Sequence, residues 1–108
     1  MKQGNGIPFS PFPKTTYIRN ALVYRVLANP KRLEILNILA LHEFTVQQLC
    51  DELEASKANV SQHLALLRHA RLVSPRRQGT NIFYKITDPR IVKPCHILHD
   101  LWTRNVLT

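Results

Sequence analysis

Thr45 to Asp88 reads TVQQLCDELEASKANVSQHLALLRHARLVSPRRQGTNIFYKITD, and the order of patterns in it decides the fold. It opens with Thr45-Val46-Gln47-Gln48, a Thr followed three residues later by Gln, which is the sequence form of a helix capping box. Val46, Leu49, Cys50 and Leu53 then recur at i, i+3, i+4 and i+7, making one apolar face of a short helix. Glu54-Ala55 interrupts the pattern, and Ser56 is a good N-cap for a second helix that reaches Ala70. There Val60, Leu64 and Leu67 face inward. Ala58, Gln62, Ala65 and His69 lie opposite, flanked by Asn59 and Ser61. A small, polar outer face suits an element that presses against base edges. Leu72 to Arg77 and Ile82 to Thr87 are β-rich and surround Gln78-Gly79-Thr80-Asn81, so a hairpin with a basic tip follows. Pro75 limits the regularity of its first strand.

Two short helices followed by such a hairpin form the layout of a winged helix-turn-helix, whose second helix enters the DNA major groove. Working outward, residues 1–14 hold Pro8, Pro11 and Pro13 and read as an irregular arm, with Phe9 and Phe12 pinning it to the body. Residues 15–108 form the DNA-binding and dimerisation domain. Thr15 to Ala28 is a first helix with a stripe of Ile18, Ala21, Leu22 and Val26, extended by the stem of Arg25. Asn29-Pro30 caps and opens a second helix that runs to about His42 and buries Leu33, Leu36, Ile38 and Leu39. His42 is placed to meet the C-terminal dipole of that helix. Asp88-Pro89 starts a last helical region, which Pro94 restarts, so that its main stretch runs through Trp102. The fold class is mainly α with a β-hairpin wing, in the order α-α-α-α-β-β-α. A small core with apolar stripes on both terminal helices predicts a homodimer, with Trp102 as an interface anchor.

At 108 residues there is room for one domain. The formal charge is +8, and it is unevenly placed. Residues 1–55 carry six basic against five acidic side chains, whereas from Ser56 onward nine basic side chains face only Asp88 and Asp100. The positive half contains the recognition helix and the wing, so a polyanion is the natural partner. The N-terminus has no continuous apolar core and the longest apolar run, Ile35 to Leu41, cannot span a bilayer. No membrane partner is expected. Two cysteines without an export signal fit a reducing cytoplasm and free thiols.

For duplex DNA, the candidate contacts on the recognition helix are Lys57, Asn59, Ser61, Gln62 and His63. Gln and Asn pair bidentately with adenine, while Ser, Lys and His suit phosphates or base edges. Arg76, Arg77, Gln78, Thr80 and Asn81 on the wing suit flanking phosphates or the minor groove, and Arg68 and Arg71 add backbone contacts. Cys50 and Cys95 both sit on apolar faces, where free cysteine behaves as a small hydrophobe or, if accessible, as a redox sensor. Cys95 and His99 are four apart on one helix face. Two such pairs brought together across a dimer two-fold would make a tetrahedral zinc site. Nothing supplies an oxyanion hole or substrate pocket, so no enzyme is expected. A protein-interaction winged helix and a constitutive repressor with no small ligand are the alternatives. An RNA reading finds no stacking aromatics on the outer helix face.

The sequence resembles the ArsR–SmtB family of bacterial repressors. The similarity is carried by Leu27-Ala28-Asn29-Pro30-Lys31-Arg32-Leu33-Glu34-Ile35-Leu36, by Val60-Ser61-Gln62-His63-Leu64-Ala65-Leu66-Leu67-Arg68, and by Leu72-Val73, Arg77-Gln78-Gly79 and Phe83-Tyr84-Lys85-Ile86. The resemblance implies a homodimer on an operator, released from DNA by an effector. Its sensor patterns are not intact here. Thr45 and Gln47 stand where arsenite sensors of the family place a Cys-x-Cys pair. Arg90 replaces the histidine that would follow Asp88 in a zinc sensor, with Leu101 and Arg104 at the distal positions. Asn37 stands where persulfide sensors carry a cysteine.

Overall fold

A computed structural model describes residues 9–107, so residues 1–8 of the expected arm lie outside it. Helix α1 (Lys14–Leu27) is followed by α2 (Pro30–Leu39), strand β1 (Phe44–Thr45), α3 (Val46–Leu53) and α4 (Lys57–His69). Strands β2 (Val73–Gln78) and β3 (Asn81–Ile86), a 3-10 turn (Pro89–Val92) and α5 (Lys93–Thr103) complete the chain. This is a mainly helical winged helix-turn-helix with a small antiparallel sheet.

Local chemistry fixes most helix starts. Asn29 accepts the Arg32 N–H at 3.1 Å, and Pro30 sits in the first turn of α2, where an N–H would have no intrahelical partner. The capping box is formed in both directions: Gln48 N–H donates to Thr45 Oγ1 at 3.1 Å and Thr45 N–H to Gln48 Oε1 at 2.8 Å. Ser56 Oγ accepts from the Asn59 N–H at 3.1 Å and starts α4. The C-terminus of α4 is closed by Arg71, whose φ is 62°, with Leu72 N–H donating back to the Leu67 carbonyl at 2.9 Å. That is a Schellman closure with arginine where glycine is usual. Asp88 caps the 3-10 turn, and Pro94 falls in the first turn of α5, where it breaks no hydrogen bond.

The core is one cluster. Ile35, Leu36 and Leu39 of α2 meet Leu49, Cys50 and Leu53 of α3 and Val60, Leu64 and Leu67 of α4, with Leu72, Val73 and Val92 closing it. Burying nine such side chains from three helices holds α4 at a fixed angle with its opposite side free.

Five expectations are corrected. The packed stripe of α1 is the half-buried Val23, Val26 and Leu27, of which Val26 was expected; Ile18, Ala21 and Leu22 are exposed, and α1 has no fully buried residue. In α2 Leu36 and Leu39 are buried as expected and Ile35 joins them, whereas Leu33 and Ile38 are only half-buried. The same helix stops at Leu39 instead of about His42. Beyond it the chain bends so that Phe44 and Thr45 can pair with Tyr84 and Phe83, and His42 stacks its ring on Phe44 at 4.3 Å rather than facing a helix end. That pairing adds β1 as a third strand, in the order β1-β3-β2, and ties the wing to the corner before α3. At the arm, Phe12 packs edge-on against Tyr17, while Phe9 is almost fully exposed.

Candidate nucleic-acid interface

Helix α4 presents Lys57, Ala58, Ser61, Gln62 and Ala65 to solvent, opposite its buried Val60, Leu64 and Leu67. No side chain larger than glutamine stands on this face between Ala58 and Ala65, so the backbone can approach a groove floor closely. Lys57 opens the helix beside the Ser56 cap, where the free N–H groups and the positive end of the dipole also favour phosphate. Asn59 is half-buried and its Oδ1 is buried without a hydrogen-bond partner. Arg68 and His69 are exposed in the last turn.

The wing extends this surface. Gln78 pairs with Asn81 across a two-residue turn of Gly79 and Thr80. Gly79 has φ 63° at the first central position, and Thr80 stays at negative φ, which is the residue choice of a type II′ turn. Arg77, Gln78, Thr80 and Asn81 are all exposed.

Three predicted contact residues, Arg76, Gln78 and His63, are engaged within the chain. Arg76 Nε donates to Glu43 Oε1 at 2.6 Å, its Nη1 donates to Gln78 Oε1 at 2.8 Å, and its guanidinium lies 5.0 Å from the Phe83 ring centre. His63 is half-buried and turned toward α2, where Arg32 Nη1 meets its Nδ1 at 3.3 Å. Burial, helped by the positive charges of Arg32 and Lys31, holds the His63 imidazole below its ordinary pKa. Sequence patterning did not single out Arg32 or Glu43. Their partners are 31 and 33 residues away along the chain, beyond any local signal.

The comparisons with known proteins agree with this geometry. The profile described as "Bacterial regulatory protein, arsR family" matches residues 29–74, from the cap of α2 into the first wing strand. HTH-type transcriptional regulator KmtR of Mycobacterium tuberculosis is 40% identical over 75% of this chain, a match that spans 62% of its own length. Transcriptional activator HlyU of Vibrio cholerae is 35% identical over 75% of each chain. The chain belongs to the arsR family of bacterial regulatory proteins. A winged helix-turn-helix DNA-binding domain from Mycobacterium bovis, described as homodimeric and as a possible ArsR-family regulator, superposes with a TM-score of 0.73 at 28% identity. It matches 85% of this chain and 88% of its own. The protein is therefore a DNA-binding transcriptional regulator and not an enzyme.

The metal sites implied by the family resemblance do not fit the residues present. Asp88 is held by Arg90, whose Nη2 lies 2.7 Å from Oδ2, and these contacts keep the carboxyl down to about 2, well below its usual pKa. Asn37 accepts a hydrogen bond from His96 Nε2 at 2.9 Å and donates to the Leu33 carbonyl. Among the described residues of one chain no three metal-binding side chains gather. Cys50 is buried in the core and Cys95 is half-buried, both as free thiols. Cys95 and His99 line one groove of about 430 Å³ between α1, α2 and α5, together with Tyr24, Leu36, Leu98 and Trp102. Among the described residues no helix is long and apolar enough to cross a membrane.

Proposed function

We propose that this protein is a repressor that binds an inverted-repeat operator as a homodimer and acts by occluding a promoter. The observation that carries the reading is the outer face of α4, small and polar between Lys57 and Ala65 and continued by the exposed, basic tip of the wing. Lys57, Ser61 and Gln62 reach into the major groove, with Asn59 at its edge. Arg68, Arg77, Gln78, Thr80 and Asn81 hold the flanking backbone. Two copies related by a two-fold place their α4 helices in successive major grooves about 34 Å apart. The homodimeric Mycobacterium bovis domain supports the assembly, since this chain shares its fold.

Selection of duplexes from a randomised pool, followed by affinity measurements over a salt series, tests the reading. An inverted repeat should emerge, bound at least about a thousandfold more tightly than random duplex. Its affinity should fall steeply with salt, with a slope of about 0.9 per phosphate contacted. Equal affinity for random and selected duplexes would favour a protein-interaction module instead. Loss of reporter repression when the repeat is scrambled would separate repression from activation.

A second reading concerns input. Cys95 and His99 stand one turn apart on the same groove wall, and we read them as two of the four donors that a tetrahedral zinc site would need. A two-fold partner would bring the other two. Native mass spectrometry of protein purified anaerobically without chelator decides it. One zinc per dimer, lost in Cys95→Ser, supports a metal-responsive regulator. A metal-free dimer removes that reading and leaves a thiol-responsive or ligand-free repressor.

A further inference from the structure

Arg32 bridges three helices with one side chain. Its backbone N–H is fixed by Asn29, its Nε donates to the Val26 carbonyl at 2.6 Å, and its Nη1 reaches His63 Nδ1 at 3.3 Å. Val26 lies in the last turn of α1, where carbonyls have no intrahelical donor, so the guanidinium satisfies an open acceptor. Arginine can only donate, so Nδ1 of His63 is the acceptor and its ring proton sits on Nε2. The planar fork is suited to this double duty. A lysine ammonium could not serve both acceptors with fixed geometry.

We propose that Arg32 is a positioning residue for DNA recognition, holding α4 in register with α1 through His63, and that protonation of His63 releases this hold and weakens duplex binding. The inference rests on α4 being the DNA-reading helix. An imidazolium has no lone pair at Nδ1, and it would face a guanidinium. Among the described residues the charges acting on His63 come from α2 alone, Arg32 and Lys31, and both are positive. The other elements packed most closely on α4 are α3, with buried Cys50 and the exposed Asp51, Glu52 and cap Glu54, and β2, with the exposed Arg76 and Arg77. Because the folded protein holds this imidazole below its ordinary pKa, the neutral, bonded form is complete above that value. It is lost as pH falls through the lower folded value.

The sign separates this device from a simpler one. If His63 touched phosphate directly, acid would add a positive charge at the interface and tighten binding. Release of the Arg32 link weakens it.

Fluorescence anisotropy on the selected duplex, at fixed ionic strength and at about pH 8 and about pH 5.5, tests the proposal across the histidine range. The natural protein should lose roughly three- to tenfold in affinity on acidification, the worth of one net hydrogen bond. In His63→Asn the side-chain oxygen replaces Nδ1 as acceptor and does not titrate, so its affinity should hold or rise. Arg32→Lys should bind more weakly at the higher pH and lose the pH response. In the natural protein, imidazole ¹⁵N shifts should report the Nε2–H tautomer for His63 at the higher pH. An Nδ1–H tautomer, the same pH response in His63→Asn, or tighter binding in acid would overturn the proposal. If the natural protein binds no duplex at either pH, the DNA reading itself falls, and this inference with it.

Discussion

Gln62 and Arg77 are both exposed, yet the chemistry of each side chain suits it to a different part in the proposed DNA binding. The Gln62 amide carries a donor and an acceptor that match one base edge, so Gln62→Ala should cost about 1–3 kcal/mol and relax choice at one position of each half-site. Arg77 offers charge from the wing. Its loss should weaken all duplexes alike and lower the salt slope by about one. Equal loss of specificity in both variants, measured by competition with mismatched duplexes, would contradict this division. These residue types and their outward placement were readable from periodicity alone. The engagement of His63 and Arg76 was not, because each is set by a partner from another element, Arg32 and Glu43. Those engagements are not equally firm. The Arg76–Glu43 pair is more than a third exposed on both sides and contributes about 0.5 kcal/mol, with a similar amount from the Phe83 ring. A charge-assisted bond to a phosphate is worth about 1.5–3 kcal/mol, enough to draw Arg76 onto DNA.

At the scale of elements, local signals succeeded where the bond that makes the element is local. The Thr45–Gln48 box and the Asn29, Ser56 and Asp88 caps all join residues two or three apart, and the starts of α2, α3, α4 and the 3-10 turn follow from them. Strand β1 joins residues about 39 apart (Phe44 with Tyr84 is the wider pair) and is two residues long, so no periodicity could announce it. The Schellman closure after α4 was equally hidden. Its left-handed residue is Arg71, and sequence reading looks for glycine there. A side chain at φ 62° costs about 1–2 kcal/mol, against about 0.5–1 kcal/mol for the extra unfolded freedom of glycine. Arg71→Gly should therefore stabilise the fold by about 0.5–1 kcal/mol. Denaturant unfolding would show a higher midpoint at unchanged slope. A lower midpoint would mean that the exposed Arg71 side chain makes a contact worth more than the strain it carries.

The whole molecule is unbalanced as a single chain. Its core lies between α2, α3, α4 and the sheet, while neither α1 nor α5 has a fully buried residue. Ile18, Leu22 and Tyr24 on α1 and Leu98 and Trp102 on α5 are all about half exposed or more. Side chains of this kind gain about 1.5–3 kcal/mol each on full burial, and a second copy of the same two helices can supply it. If that is what covers them, dimerisation and operator binding are one linked equilibrium, because a single α4 reads only half of an inverted repeat. Leu22→Asp is the sharpest probe: Leu22 is 54% exposed in the chain, so the substitution disturbs the interface while sparing the core. Placing a carboxylate there should weaken the dimer by on the order of 2–4 kcal/mol, the range of an interface hot spot. Sedimentation equilibrium should then show monomer at concentrations where the natural protein is dimeric, with circular dichroism unchanged. Affinity for the full inverted repeat should drop with it, while the weak binding to an isolated half-site stays the same. An unchanged dimer would place the two-fold elsewhere and leave the α1–α5 groove facing solvent.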